Sequence, residues 1–484
     1  MKKTILRPLA LLLAALCLVP FAACAVKQDS PKLEHNILHF YSVKDSMTTF
    51  FLDGKKLSDQ IGGGITLVGT VDGQDGFVTA ASALYRIDGD GLLKVYPAAV
   101  TNAVLSLDGR FILFATSTQV FLYDCGAKKY DQLPDIEAKS IIGLVLSPDG
   151  SAAGVAVTTA EDRIVSYVYS DGKTALYGED RCIAAIANGG KLSYSVGAAN
   201  GELTGELYCR RDGKDSLIAN GASPYFEVNR DLTEITFDIA EKTHISQNGG
   251  EAKKLTDASV FSMAGAQYSA QGGSAVITLL KNCGTLLDSV FYTNTKAQDE
   301  DGNTLAQYNV YYIDRSLNAA PLAIGTSQFT VSEDGKNILC VVDDGLYRVS
   351  AYTPTKPQQI ASNIYSFCCT ADLGTIYSID MNGNLRRIRN GSSSAILVSG
   401  VQLAKMMKNG TVVCYAPTES NGTLIWLKDD KANAIGTNVA YFEVYENAAA
   451  YLADYDEATN SYDLYIGTDG VNYELAVEDV RIGA

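Results

Sequence analysis

One four-residue phrase returns along this chain, and each time an apolar run follows it. Ser106-Leu107-Asp108-Gly109 precedes Phe111-Ile112-Leu113-Phe114. Ser147-Pro148-Asp149-Gly150 precedes Ala153-Gly154-Val155-Ala156-Val157, and Ser332-Glu333-Asp334-Gly335 precedes Ile338-Leu339-Cys340-Val341-Val342. Weaker versions start near Val71-Asp72-Gly73, Asn188-Gly189-Gly190, Asn229-Arg230-Asp231, Ala270-Gln271-Gly272, Thr370-Ala371-Asp372, Lys408-Asn409-Gly410 and Tyr445-Glu446-Asn447. Most spacings are about 36 to 42 residues. That period belongs to one supersecondary unit, which buries its apolar face only against a neighbour of the same kind.

Within each unit the apolar residues alternate with period two over short stretches, as strands require. A strand with an aromatic centre recurs in Ala83-Leu84-Tyr85-Arg86-Ile87, Val120-Phe121-Leu122-Tyr123, Gly345-Leu346-Tyr347-Arg348-Val349 and Asp463-Leu464-Tyr465-Ile466. Asp88-Gly89-Asp90-Gly91 and Asn382-Gly383 supply the positive φ angles of hairpin turns. Helical periodicity is nearly absent. The fold class is therefore all-β, a β-propeller of about ten short blade-like repeats, in one large ring or two rings; four to eight blades are usual. Residues 37–60 read as the outer strands of a unit lacking its first, and 478–483 as a first strand lacking the rest. Together they would complete a blade and leave no free sheet edge. An extra hairpin is expected near 282–325, where Ser289-Val290-Phe291-Tyr292 and Asn309-Val310-Tyr311-Tyr312 flank an acidic loop at 299–303.

The Ser-Pro-Asp-Gly phrase, with its following strand and later Leu-Tyr strand, resembles the repeats of TolB-type and prolyl-oligopeptidase-type propellers. The likeness is closest at 147–150 and extends in diluted form over 65–477. It implies that the Asp-Gly turn joins an inner strand to the next one out, a structural role without chemistry. Sialidase Asp-boxes need a Trp just after the turn and WD-type repeats a terminal Trp-Asp, whereas Trp426 is the one Trp here.

The N-terminus reads as an export signal. Lys2, Lys3 and Arg7 precede an apolar stretch at 9–19 that is short of the about 20 residues a membrane span needs. Phe21-Ala22-Ala23-Cys24 resembles the lipobox of bacterial lipoprotein precursors, with Phe where Leu is usual. The resemblance implies that Cys24 becomes the lipidated first residue of a protein held on the outer face of the cell membrane. The expected organisation is a signal peptide over 1–23, a linker over 24–36 and the repeat region over 37–484. Loss of Lys2, Lys3 and Arg7 from a balance of 39 basic against 55 acidic residues takes the net charge from −16 to −19. Such a body repels nucleic acid and anionic headgroups, so the membrane partner is reached through the lipid.

Eight cysteines remain after Cys17 and Cys24 are set aside, at 125, 182, 209, 283, 340, 368, 369 and 414. Cys340 and Cys414 occupy equivalent places in apolar strands, so mostly free, buried thiols are expected. His35 and His39 lie four apart, a metal spacing on a helix but too distant for chelation along a strand; His244 reads as structural. The acidic loop at 299–303 lacks a full calcium pattern and reads as a solvated hairpin tip. No nucleophile elbow, dinucleotide motif or zinc spacing occurs, so no cofactor, metal or catalytic residue is assigned. The function expected is binding or scaffolding of a protein, peptide or glycan ligand at the cell envelope. The alternative is a propeller enzyme, a glycan hydrolase or lyase, with acidic residues from several units converging on the central mouth.

Overall fold

The hydroxyl of Ser147 makes the repeated phrase a turn. It donates to Asp149 at 3.1 Å and accepts the Ala152 N–H at 2.9 Å. The Asp149 carboxylate in turn accepts the N–H of Ser151 at 2.9 Å. The same set recurs at Ser106 with Asp108 and Phe111, at Ser332 with Asp334 and Asn337, and at Thr370 with Asp372 and Thr375. The fourth residue must then take a positive φ, 72° at Gly150 and 68° at Gly335. In the weaker copies Leu232 and Leu373 hold 55° and 57° there. Both leucines are buried, and that burial offsets the strain.

The computed structural model describes residues 37–480, apart from short segments at 43–45, 53–54, 63–64, 72–74, 81–82, 89–90, 200–201, 264–266, 273–274, 281–283, 299–303, 390, 419–420 and 446–447. Residues 1–36, with the expected signal peptide, linker and Cys24, lie outside the described residues.

Among the described residues the strands group into eleven units, numbered here as blades. Blade 1 (37–62) has three strands; blades 2 (65–96), 3 (102–132), 4 (140–179), 5 (181–219), 6 (222–254), 7 (261–326), 8 (328–361), 9 (364–393), 10 (403–439) and 11 (441–480) have four each. First strands of neighbouring blades approach one another, while fourth strands such as Lys129–Gln132 are exposed along their length, so the first strand is innermost. Apolar cores join each blade to the next. Phe50 and Leu57 of blade 1 pack with Val78 and Ile87 of blade 2. Val290 and Val310 of blade 7 pack with Ile338 and Cys340 of blade 8. Phe51 of blade 1 packs with Leu452, Leu464 and Val477 of blade 11. The protein is thus an eleven-bladed β-propeller, one large ring and not two.

The expected closure is corrected in its detail: the C-terminal strand reaches the first unit, but as the fourth strand of blade 11 and not as the missing first strand of blade 1. The last strand, Glu474–Val480, pairs with Ser461–Gly467 and, through Val480 opposite Ser42, with Ile37–Ser42. Blades 11 and 1 therefore share one seven-stranded sheet.

The expected extra hairpin near 282–325 needs correction. Ser289–Gln298 and Thr304–Ile313 are the second and third strands of blade 7, lengthened to ten residues each. The surplus strands lie just before them, Gln267–Gly272 and Ala275–Leu280. Ala270-Gln271-Gly272 accordingly belongs to this hairpin and not to a blade turn. Period-two alternation marks a strand but not whether it belongs to a blade, and the inner strand of blade 7, Phe261–Ser262, is too short to hold the phase. The hairpin runs inside the ring. Gln267–Gly272 pairs with the inner strand of blade 4 at Gly143, and Ala275–Leu280 pairs in parallel with the inner strand of blade 6 from Tyr225 to Asn229. It crosses the inner strand of blade 5, so blades 4 and 6 and the hairpin form one ten-stranded sheet.

Candidate functional site

The hairpin leaves a gap where it departs. Met263 donates its N–H to the Val290 carbonyl at 2.8 Å, and the next described strand, Gln267–Gly272, pairs within the hairpin and with blade 4 and not with blade 7. Beside this two-residue inner strand, Phe261–Ser262, a cavity of about 1020 Å³ is bordered by blades 6, 7 and 8. Its walls include Glu234 and Gln247 of blade 6, Thr285, Asp288 and Arg315 of blade 7, and Phe329 and Glu333 of blade 8.

Carboxylates from three blades reach this cleft, and most are already engaged. Glu234 accepts Gln247 Nε2 at 3.0 Å, Thr285 Oγ1 at 2.9 Å and the Leu286 N–H at 2.6 Å. Asp288, at φ 60°, accepts the Tyr312 hydroxyl and lies 3.2 Å from Lys336 Nζ. Lys336 also donates to the Asp288 carbonyl at 2.8 Å and to Tyr312 Oη at 2.9 Å. The Tyr312 hydrogen bond and the nearby cations hold the Asp288 carboxyl below its ordinary range, while Tyr312 is pushed up by burial. Lys336 is raised, its bonds to Tyr312 and Asp288 outweighing burial. Every one of these shifts moves the group away from neutrality, the reverse of what acid–base chemistry requires. Glu333 and Arg315 are exposed at the rim.

A second set of polar side chains links inner strands across the blades. Glu227 of blade 6 accepts the Ser262 N–H of blade 7 at 3.0 and 3.2 Å, and faces Thr278 in the parallel ladder. Burial pushes its carboxyl up to about 7, against the bonds from Ser262 and Thr236. Gln328 of blade 8 bonds both backbone groups of Phe367 in blade 9. Lys405 of blade 10 pairs with Glu443 of blade 11 at 2.5 Å. Large apolar side chains stand exposed near the starting ends of inner strands, at Tyr225, Phe261, Tyr365, Leu403 and Tyr441. Inner strands of a propeller run in one direction, so these ends share one mouth.

Of the residues singled out in the sequence, His244 is structural: its Nδ1 lies 2.8 Å from the Lys242 carbonyl and its ring stacks on Phe237. His39 lies on the strand Ile37–Ser42; His35, Cys24, Cys283 and the loop at 299–303 lie outside the described residues. Among the described residues no three His, Cys, Asp or Glu side chains are placed to hold a metal. Sequence reasoning missed the cleft. One signal points to it: the turns at Asn229 and Ser332 are 103 residues apart across two units, about 20 more than two periods of such repeats.

No family model matches the chain, and no curated protein matches it either. Solved structures give distant likenesses. A eukaryotic initiation factor shares 13% identity at a TM-score of 0.42, covering 93% of this chain and 98% of that one. A TolB from Agrobacterium tumefaciens shares 12% at 0.29, covering 48% and 84%. An oligogalacturonate lyase in complex with manganese shares 10% at 0.31, covering 73% and 96%. The propeller rests on the strand ladders above and not on these likenesses.

Proposed function

We propose that this protein is an envelope lipoprotein, anchored through Cys24, whose propeller binds or scaffolds a protein, peptide or glycan ligand. The observation that carries the reading is the cleft between blades 6 and 8. It is large enough for a ligand, and its inner carboxylates are engaged, Glu234 by three hydrogen bonds and Asp288 by Tyr312 and Lys336. The leader sequence and the acidic body support lipid attachment in place of a basic membrane patch. Fatty-acid labelling of wild type against Cys24→Ala tests the anchor, and pull-down from envelope extracts tests the binding. Equal labelling of both, or capture unaffected by Arg315→Glu with Glu333→Lys at the rim, defeats the respective half.

One observation favours a second reading, glycan cleavage. Glu227 lies on an inner strand with its carboxyl near neutrality, as a general acid would be. Reducing-end release from a polysaccharide panel, abolished by Glu227→Gln in a protein of unchanged fold, would establish it.

A further inference from the structure

Each blade sheet ends, on the channel side, in the edge of its inner strand. The sheets of blades 9 and 10 terminate at Ile364–Cys369 and Leu403–Met406, and the shared sheet of blades 11 and 1 at Tyr441–Val444. Ladder parity identifies the groups on those edges. Met407 donates to the Thr411 carbonyl, and Tyr445 to that of Ala448. Alternation from these bonds puts the backbone N–H and C=O of Ala404, Met406 and Phe442 and the C=O of Val444 on the channel side, while the Val444 N–H donates to Glu443 Oε1 at 3.4 Å. The same parity in blade 9, from Thr370 bonding Thr375, puts Phe367 there, and its N–H and C=O both go to Gln328. Strand edges with no neighbouring strand among the described residues, as at blades 10 and 11, are templates for a further strand.

The protein already demonstrates the reaction of such an edge. In blades 4 and 6 the equivalent edges carry the hairpin, with Ala275–Leu280 laid along blade 6 over five register pairs. Neither hairpin strand contains a charged residue. Elsewhere a side chain mimics a strand, Glu227 for Ser262 and Gln328 for Phe367. At blades 10 and 11 the charges on the inner strands, Lys405 and Glu443, cancel as a pair. Tyr365, Leu403 and Tyr441 stand 54%, 40% and 50% exposed at the mouth beside these edges.

We infer that the inner edges of blades 10 and 11 accept an extended, uncharged polypeptide segment of a partner, added as a strand. This surface lies apart from the cleft at blade 7, so the inference names a second binding surface and its ligand class, independent of what the cleft holds. Backbone bonds supply affinity, and the rings of Tyr365 and Tyr441 with Leu403 grip alternate side chains. Because only every second ligand residue turns its amide to the edge, recognition alternates along the peptide.

Phage-displayed random octapeptides, panned on the full mature chain beside an array of neutral and charged oligosaccharides, test this. Selected peptides are expected to be uncharged. N-methylation of one alternate set of amides should weaken binding at least tenfold, and of the other set less than twofold. Leu403→Asp and Tyr441→Ser, both at exposed positions, should each weaken it at least fivefold with unchanged thermal unfolding. Selection of oligosaccharides alone, indifference to N-methylation, or survival of binding in both variants overturns the strand mode. None of these outcomes touches the envelope reading, which stands or falls on Cys24 labelling and the pull-down.

Discussion

Gln328 donates its side-chain amide to the Phe367 carbonyl at 2.7 Å and accepts the Phe367 N–H at 3.1 Å. A blade-8 side chain thus completes the backbone bonding of blade 9. Gln328→Ala leaves both Phe367 groups short of a partner at a half-buried site, a cost of about 1–3 kcal/mol. Urea unfolding should show that loss, while Gln359→Ala, on the outer strand of the same blade, should change stability by less than about 0.5 kcal/mol.

The turn geometry separates two causes of glycine dependence. Gly150 and Gly335 fill the same motif position at φ 72° and 68°. A Cβ on Gly150 would lie 2.3 Å from Phe111 Cδ2, whereas one on Gly335 meets nothing within 4 Å. Gly335→Ala should cost the left-handed penalty alone, about 1–2 kcal/mol. Gly150→Ala should cost at least about 1 kcal/mol more, because Phe111 must move. Equal losses in chemical denaturation would show that the ring yields freely.

Glu227 predicts a pH dependence of definite sign. Its carboxyl rises from 4.5 in the unfolded chain to about 7 in the folded one. The folded state therefore binds the proton more tightly, and this group's contribution falls as pH rises from about 4.5 to about 7, then stays level. Glu227→Gln should be as stable as wild type below pH about 4.5 and more stable at pH 8, by about 2 kcal/mol after allowance for partial exposure. A variant less stable at pH 8 would mean that the ionised carboxylate is worth more to Ser262 than its burial costs.

The thiols at 209, 340, 368, 369 and 414 are free. Burial pushes Cys340 and Cys369 up to about 11 and Cys414 to about 12. Since the thiolate is the reactive form, alkylation of these positions at pH 8 should be slow in the native protein and rapid in denaturant. Mass mapping after a short native pulse checks this, and prompt native labelling of Cys340 and Cys414 would contradict it.

The repeat was legible because Ser-x-Asp-Gly turns and their strands are local: Ser147, Asp149 and Ala152 bond within six residues, whereas the choice between one ring and two rests on Phe51 packing with Leu452 and Leu464. The count of about ten units plus a partial one matches eleven blades, although the unit placed at Ala270 owes its turn to the hairpin and blade 7 takes its place in the count. The cleft was not legible, because Glu234 and Thr285 stand 51 positions apart and meet only after a detour through the channel. Parallel pairing of Ala275–Leu280 with blade 6 carries no sequence mark either, since both strands read simply as apolar. Gln328 and Glu227 look like any polar strand residue until the neighbouring blade supplies Phe367 and Ser262.

Ring closure gives the last prediction. Ser42 and Val480 are both buried and stand opposite each other in the sheet shared by blades 1 and 11. Val477 and Val480 also fill the core that receives Phe51. Deleting residues 474–484 removes a ladder strand, two core valines and the link between the chain ends. Each lost backbone bond is worth about 0.5–1.5 kcal/mol and each valine about 1.5 kcal/mol or more, so the truncated chain should unfold many degrees earlier or associate through its open edges. The complementary experiment adds a bond. Ser42→Cys with Val480→Cys should form a disulfide under mild oxidation and raise the unfolding midpoint, since it constrains nearly the whole unfolded chain; the entropic gain for such a loop is about 6 kcal/mol before any strain. Peptide mapping of the oxidised protein reads the cross-link directly. Failure of this pair to cross-link, together with an unchanged midpoint on truncation, would mean that the ends do not meet and that the array is open.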